Sequence, residues 1–134
     1  MLRINEVKQS VPKMISREWL KKNQDCIFIF GDNTIRDGYG GAAILRDEPN
    51  SYGFITKKYP DNRNESFYTI EEYVDVYIDE VNKLKRLIEE NQDKIFLMTR
   101  VGDNLANRFG IFEQIIAPNI MSDLGKYQNI IWLW

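Results

Sequence analysis

Gly31, Asp32 and Asn33 directly follow the apolar run Ile27-Phe28-Ile29-Phe30, and Gly38-Tyr39-Gly40-Gly41 comes soon after, ahead of Ala42 and Ala43. Such a run reads as a buried strand, and the alanines favour a helix. Strand, glycine loop and helix start together make an anion cradle. Backbone N–H groups at a helix start point outward, and glycines let a phosphate approach them closely. These residues point to a nucleotide or another phosphate-bearing ligand. A plain turn is the alternative, because Gly-Asp-Asn and Asp-Gly are ordinary turn sequences.

A second loop of the same character follows the apolar run Ile95-Phe96-Leu97-Met98, and it contains Thr99, Arg100, Gly102, Asp103, Asn104, Arg108 and Gly110. In an open α/β sheet, ligands settle beyond the carboxyl ends of the strands, so both loops are expected to face one crevice. In that crevice the N–H groups of Gly38, Tyr39, Gly40, Gly41 and Ala42 would hold phosphate. Arg100 or Arg108 would pair with it through a planar fork, with Arg36 a further cation. Asp32, Asn33 or Asp103 would accept hydrogen bonds from ribose hydroxyls or an exocyclic amine. Gly31, Thr99, Gly102 and Asn104 complete the candidate ligand set. Tyr39, Tyr52 or Phe109 would stack on a base, although aromatic residues at strand ends more often belong to the core. The spacing is neither a Walker A motif nor Gly-x-Gly-x-x-Gly.

The elements that must position these loops can be read in order. Residues 2–4 give a weak edge-strand signal. Ser16 is placed to cap a short helix over 17–22, with Glu18 in its first turn and lysines in its last. A strand is expected over 26–30, a short helix over 42–46 and a second strand over 51–56. Residues 57–66 are polar and carry Pro60, Asp61, Asn62 and Asn64, which reads as a surface loop. Thr69 and Glu72 form a capping box. Behind it, Ile70, Tyr73, Val74, Tyr77, Val81, Leu84 and Ile88 make one apolar stripe on a long helix, while Glu72, Asp75, Asp79, Glu80, Lys83 and Lys85 read as its solvated face. A third strand is expected over 94–99. A helical segment follows over 112–124, in which Pro118 either kinks the helix or opens its second part, and Gly125 ends it. A last strand is expected over 129–134. A long helix between apolar strands implies βαβ units and a mostly parallel or mixed sheet.

The chain has 134 residues, which fits a single domain over 1–134. It contains no histidine and one cysteine, Cys26. That removes Ser-His-Asp and Cys-His catalysis and histidine-based zinc sites, so neither a metal nor a cofactor is expected. Cys26, beside the apolar run, reads as a buried structural thiol rather than a nucleophile. The lone cysteine fits a reducing compartment, and no run has the length of a signal peptide core or a membrane span. The expectation is a cytoplasmic protein with no membrane partner. The net charge of −2 gives no basic surface for a nucleic acid polymer. Trp132 and Trp134 end an apolar strand that serves either as an internal strand or as a sheet edge shared in a homo-oligomer.

The segments Phe28-Ile29-Phe30-Gly31-Asp32-Asn33 and Gly38-Tyr39-Gly40-Gly41-Ala42-Ala43 resemble the signature of a group of small phage and bacterial proteins. The 99–106 loop and Ile116-Ala117-Pro118 match that group as well. More distantly, the arrangement is similar to macro domains, which bind ADP-ribose. There an asparagine after a strand and a glycine-rich loop hold the distal ribose and diphosphate, and a second glycine loop closes over the phosphates. Asn33, Gly38, Gly40 and Gly41 match the first element; Gly102 and its neighbours match the second. The resemblance implies a single three-layer macro-like α/β domain that binds an ADP-ribose-like or related signalling nucleotide. For a phage protein it implies an anti-defence role, sequestering a host immune nucleotide in the host cytoplasm. One alternative is a macro-like hydrolase of ADP-ribosyl or cyclic-nucleotide bonds, with Asp32, Asp37 or Asp103 orienting water. The other is an inhibitor that acts by protein–protein contact. The chain is shorter than macro domains, and its second loop has fewer small residues. With no histidine as base, these features favour binding over hydrolysis.

Overall fold

The computed structural model describes residues 3–134. Four strands, β1 (Cys26–Asn33), β2 (Ser51–Lys57), β3 (Ile95–Met98) and β4 (Ile130–Trp132), form one sheet in the order β2-β1-β3-β4. Every pairing is parallel. Parallel sheets are covered on both faces, and alternating residues of these strands feed two separate cores. Ile29, Phe96, Met98 and Ile130 point to one core; Phe28, Phe30, Ile95, Leu97 and Ile131 point to the other.

The first core is closed by α3 (Ile70–Glu90) and α4 (Ala117–Leu124), the second by α1 (Ile4–Ser10) and α2 (Arg17–Lys22). The molecule is thus an α/β domain of three layers, helices on both sides of a parallel sheet. In α2 the Ser16 hydroxyl accepts the Trp19 N–H at 3.1 Å, as the sequence requires of an N-cap. In α3 the capping box of Thr69 and Glu72 is complete, and Tyr73, Tyr77, Val81, Leu84 and Ile88 are buried along one stripe. Burial of each such side chain is worth about 1.5–3 kcal/mol, so tertiary packing rather than propensity holds this helix.

Several expectations are corrected. Ile4 belongs to α1 rather than to an edge strand, and Leu2 lies outside the described residues. Val74 is 44% exposed because it stands beside the stripe rather than on it. Glu80, read as solvated, is buried: its carboxylate accepts the Ile55 N–H at 2.6 Å, and the Tyr73 hydroxyl donates to the Ile55 carbonyl at 2.5 Å. β2 is an edge strand, and these two side chains of α3 satisfy the outward backbone groups that such an edge leaves unpaired. Residues 41–45 form a 3-10 turn instead of an α-helix. Phe112–Ile116 is a π-helical turn leading into α4, with Pro118 in the first turn of α4, where its missing N–H is not needed. Cys26 is fully buried, and burial pushes its thiol up to about 12.

Candidate functional site

β1 runs further than the apolar pattern suggests, because Gly31, Asp32 and Asn33 remain paired with β2. The register slips between Asp32 and Asn33, where Asp32 lies opposite Ile55 but Asn33 lies opposite Lys57. Such bulges re-aim side chains near sites. From here the chain turns toward the α1/α2 face, where Ala43 and Leu45 pack; the chain after β3 turns toward the other face, where Ile111 and Ile116 pack. Adjacent strands whose connections leave to opposite faces open a crevice between them, the usual ligand position in such sheets.

That crevice has a volume of about 320 Å³, at the lower end of the range of small-molecule pockets. The first loop contributes Gly31, Asp32, Asn33, Asp37, Gly38, Tyr39, Gly40, Gly41 and Ala42, and the second contributes Thr99, Arg100, Gly102, Asp103 and Asn104. The loops meet directly. A Cβ on Gly41, which has φ +59°, would stand 2.9 Å from Leu105 Cδ1. A left-handed glycine there lets the loops touch without a side chain between them.

Asp32 is the floor of the first loop. Its carboxylate pairs with Arg46 at 2.6 Å and with Arg36 at 3.1 Å, and its own side chain is 2% exposed. Arg46 also donates to the carbonyls of Gly38 at 2.9 Å and Asp37 at 3.1 Å, with its guanidinium over the Phe30 ring. Asn33 Nδ2 donates to the Asp37 carbonyl at 2.6 Å. Asn33 and Arg46 therefore hold the loop backbone from below. Gly53 on β2 is required here, because a Cβ would overlap the Asp32 carboxylate.

The second loop rests on hydrocarbon. Thr99 Oγ1 donates to the Ile29 carbonyl at 2.7 Å, Val101 is buried, and a Cβ on Gly102 would overlap Ile116 Cδ1. Gly102 has φ +84°, so its place is closed to other residues by both conformation and space. Asp103 accepts the Asn104 N–H at 2.9 Å and pairs with Arg100 at 3.1 Å, whose guanidinium lies over Phe112.

Two candidate ligand residues do not line the crevice. Arg36 is turned beneath it, donating to the Gly53 carbonyl at 2.7 Å as well as to Asp32. Arg108 points away, donating to the Asn62 carbonyl at 2.9 Å and Asn64 Oδ1 at 2.8 Å and lying on the Phe67 ring. Each is held by a nearer acceptor. Tyr39 lines the crevice, but its hydroxyl donates outward to Asp47 at 3.0 Å. Tyr52 packs against the core and Phe109 is 38% exposed; neither lines the crevice. A short 3-10 turn also stands where a helix start was expected to offer its backbone N–H groups to the anion.

Sequence reasoning missed Arg46, Thr56, Lys57 and Pro60, which also line the crevice. Arg46 was read only as part of a helix. Lys57 was assigned to a loop, and only its register opposite Asn33 brings it here. Burial lowers the Lys57 ammonium below its ordinary pKa, and the nearby Arg108 charge acts in the same direction.

A family model described as a family of unknown function, DUF7831, matches residues 10–124, most of the chain. The protein belongs to the DUF7831 family. The matched span takes in α2, β1, β2, α3, β3 and α4 with both crevice loops. No curated protein and no solved structure matches the chain. No helix among the described residues is long and apolar enough to cross a membrane.

Proposed function

We propose that this DUF7831 protein is a binding module that holds an ADP-ribose-like or related signalling nucleotide between its two glycine loops. The observation that carries this reading is their convergence on one crevice at the point where connections leave the sheet in opposite directions. The sequence resemblance to macro domains supports the same ligand class. In a phage, such a module would act by sequestering a host immune nucleotide.

Holding is favoured over cutting by the state of the three carboxylates that hydrolysis would use. Asp32 is consumed by two guanidinium groups, and Asp103 by Arg100 and the Asn104 N–H. Asp37 is exposed and accepts the Gly38 N–H at 2.8 Å. A general base needs an accessible lone pair at the reacting water and a pKa near the working pH. None of these three groups is a buried carboxylate free of partners.

Calorimetric titration with ADP-ribose and with cyclic ADP-ribose isomers, followed by chromatography of the mixtures, tests the proposal. The expected result is saturable heat with the ligand recovered intact. Conversion of the ligand would make the protein a hydrolase, and absence of heat with every nucleotide would remove the proposal.

A further inference from the structure

The cations around the crevice differ in what neutralises them. Arg46 faces Asp32 at 2.6 Å, Arg100 faces Asp103 at 3.1 Å, and Lys58, next to Lys57 in the chain, faces Glu72 at 2.7 Å. Arg36 shares Asp32, and Arg108 is saturated by neutral acceptors of the 58–66 segment. Lys57 stands apart. Among the described residues no carboxylate comes within ion-pair distance of its ammonium.

What Lys57 has instead is an aromatic face. Its ammonium lies 4.6 Å from the centroid of Phe67, and the guanidinium carbon of Arg108 lies 4.0 Å from the same centroid. The ring attracts each cation, but two cations on one ring repel each other. Desolvation is the largest influence and disfavours the charged lysine; the Asp61 charge favours it, and the Arg108 charge, a smaller influence than Asp61, disfavours it. A half-buried cation without an ion pair costs stability, and a bound anion would relieve that cost. Lys57, with Thr56 and Pro60, lines the β2 wall of the crevice.

We propose that Lys57 is the specificity-determining residue of the crevice: its ammonium is the counter-ion for a phosphate group of the ligand, so phosphorylated nucleotides enter and neutral nucleosides are refused. This rests on the reading of the crevice as a nucleotide site. Arg46 and Arg100 each face a carboxylate and Arg36 does not line the crevice, which leaves Lys57 as the lining cation without an ion pair for an incoming anion to meet. The phosphate end of the ligand then lies toward the β2 wall. Its hydroxyl-bearing end lies toward the first loop, where the Asp37 carboxylate is exposed and unpaired with any cation.

The test compares wild type, Lys57→Met and Lys57→Arg in calorimetric titrations with ADP-ribose, inorganic pyrophosphate and adenosine, alongside thermal unfolding of each protein. Methionine keeps an unbranched apolar stem against Phe67 and removes only the charge. Loss of a charged hydrogen bond predicts that Lys57→Met binds ADP-ribose and pyrophosphate about tenfold to a hundredfold more weakly. Lys57→Arg retains most of the affinity, and wild type binds adenosine at least about tenfold more weakly than ADP-ribose. The Tm of Lys57→Met is unchanged or higher, because a half-buried charge with no ion pair has gone; a lowered Tm would make Lys57 a structural residue and overturn the assignment. Equal binding of ADP-ribose by wild type and Lys57→Met overturns the Lys57 assignment and leaves the nucleotide site standing. Lys57-dependent binding of pyrophosphate without binding of ADP-ribose supports the lysine and overturns the nucleotide reading. If wild type binds neither, both fall.

Discussion

Beneath the 31–43 loop lies a carboxylate gripped by two guanidinium groups; beneath the 99–110 loop lies hydrocarbon. Asp32, with Arg46 and Arg36 on it, anchors the first loop through charge, and Arg46 passes that anchorage on to the Asp37 and Gly38 carbonyls. Val101, Ile111 and Ile116 anchor the second through packing, with Gly102 pressed onto Ile116. Both loops end as walls of one crevice, yet different interactions hold them. The charged anchor is expensive to desolvate and directional, so it fixes the orientation of the loop that carries most of the polar lining. The packed anchor is cheap and undirected, and it needs a glycine to let the chain come close enough.

Removing the charged anchor gives the largest effect. Asp32→Ala leaves Arg46 without its counter-ion in a site where its side chain is 12% exposed. A loss of about 3–5 kcal/mol in urea unfolding is expected, since breaking one side of a buried pair strands the other charge. Hydrogen exchange should accelerate first in the 31–43 loop. A loss below about 1 kcal/mol would mean the pair behaves as a surface salt bridge, and the contrast between the loops would fail.

Gly102→Ala attacks the packed anchor and comes next, at about 2–4 kcal/mol, from a Cβ forced into the left-handed region and into Ile116. Here exchange should accelerate in the 99–110 loop, with the 31–43 loop protected as in wild type. Simultaneous loosening of both loops would show that they form one cooperative unit.

Gly40→Val is expected to change stability least and binding most. Gly40 has φ −75°, which any residue adopts, and a Cβ there meets nothing within 4 Å. Its Tm should stay within about a degree of wild type, as for a surface substitution. The added side chain fills the space that the proposed ligand would occupy, so the heat of ADP-ribose titration should disappear. Unchanged binding would place the ligand elsewhere in the crevice, against the second loop.

The fold was legible wherever periodicity or capping spoke. The continuous apolar run Ile27-Phe28-Ile29-Phe30 marks a buried strand, and Thr69 with Glu72 marks the start of α3. Glu80 was misread because its position on the helix places it among charged neighbours; only the approach of the β2 edge shows that its carboxylate has a backbone partner. The candidate site was legible as two glycine loops at strand ends, which is a local property of the chain. Arg36 and Arg108 were placed in it on residue type alone, and each is drawn off by an acceptor distant in sequence, Gly53 and Asn62.

The sequence by itself determined the buried strands, a mostly parallel or mixed α/β sheet, the caps of α2 and α3, and the loops at the ends of β1 and β3. These follow from local rules, since side-chain period, capping and turn chemistry act over a few residues. Tertiary structure alone decided which charges face which. Lys57 reaches the crevice through a register slip opposite Asn33, and Arg46 spends its fork on Asp32, a carboxylate from another element. Pairs between residues far apart in the chain, such as Arg46 with Asp32, depend on distance in space, of which the chain carries no local record.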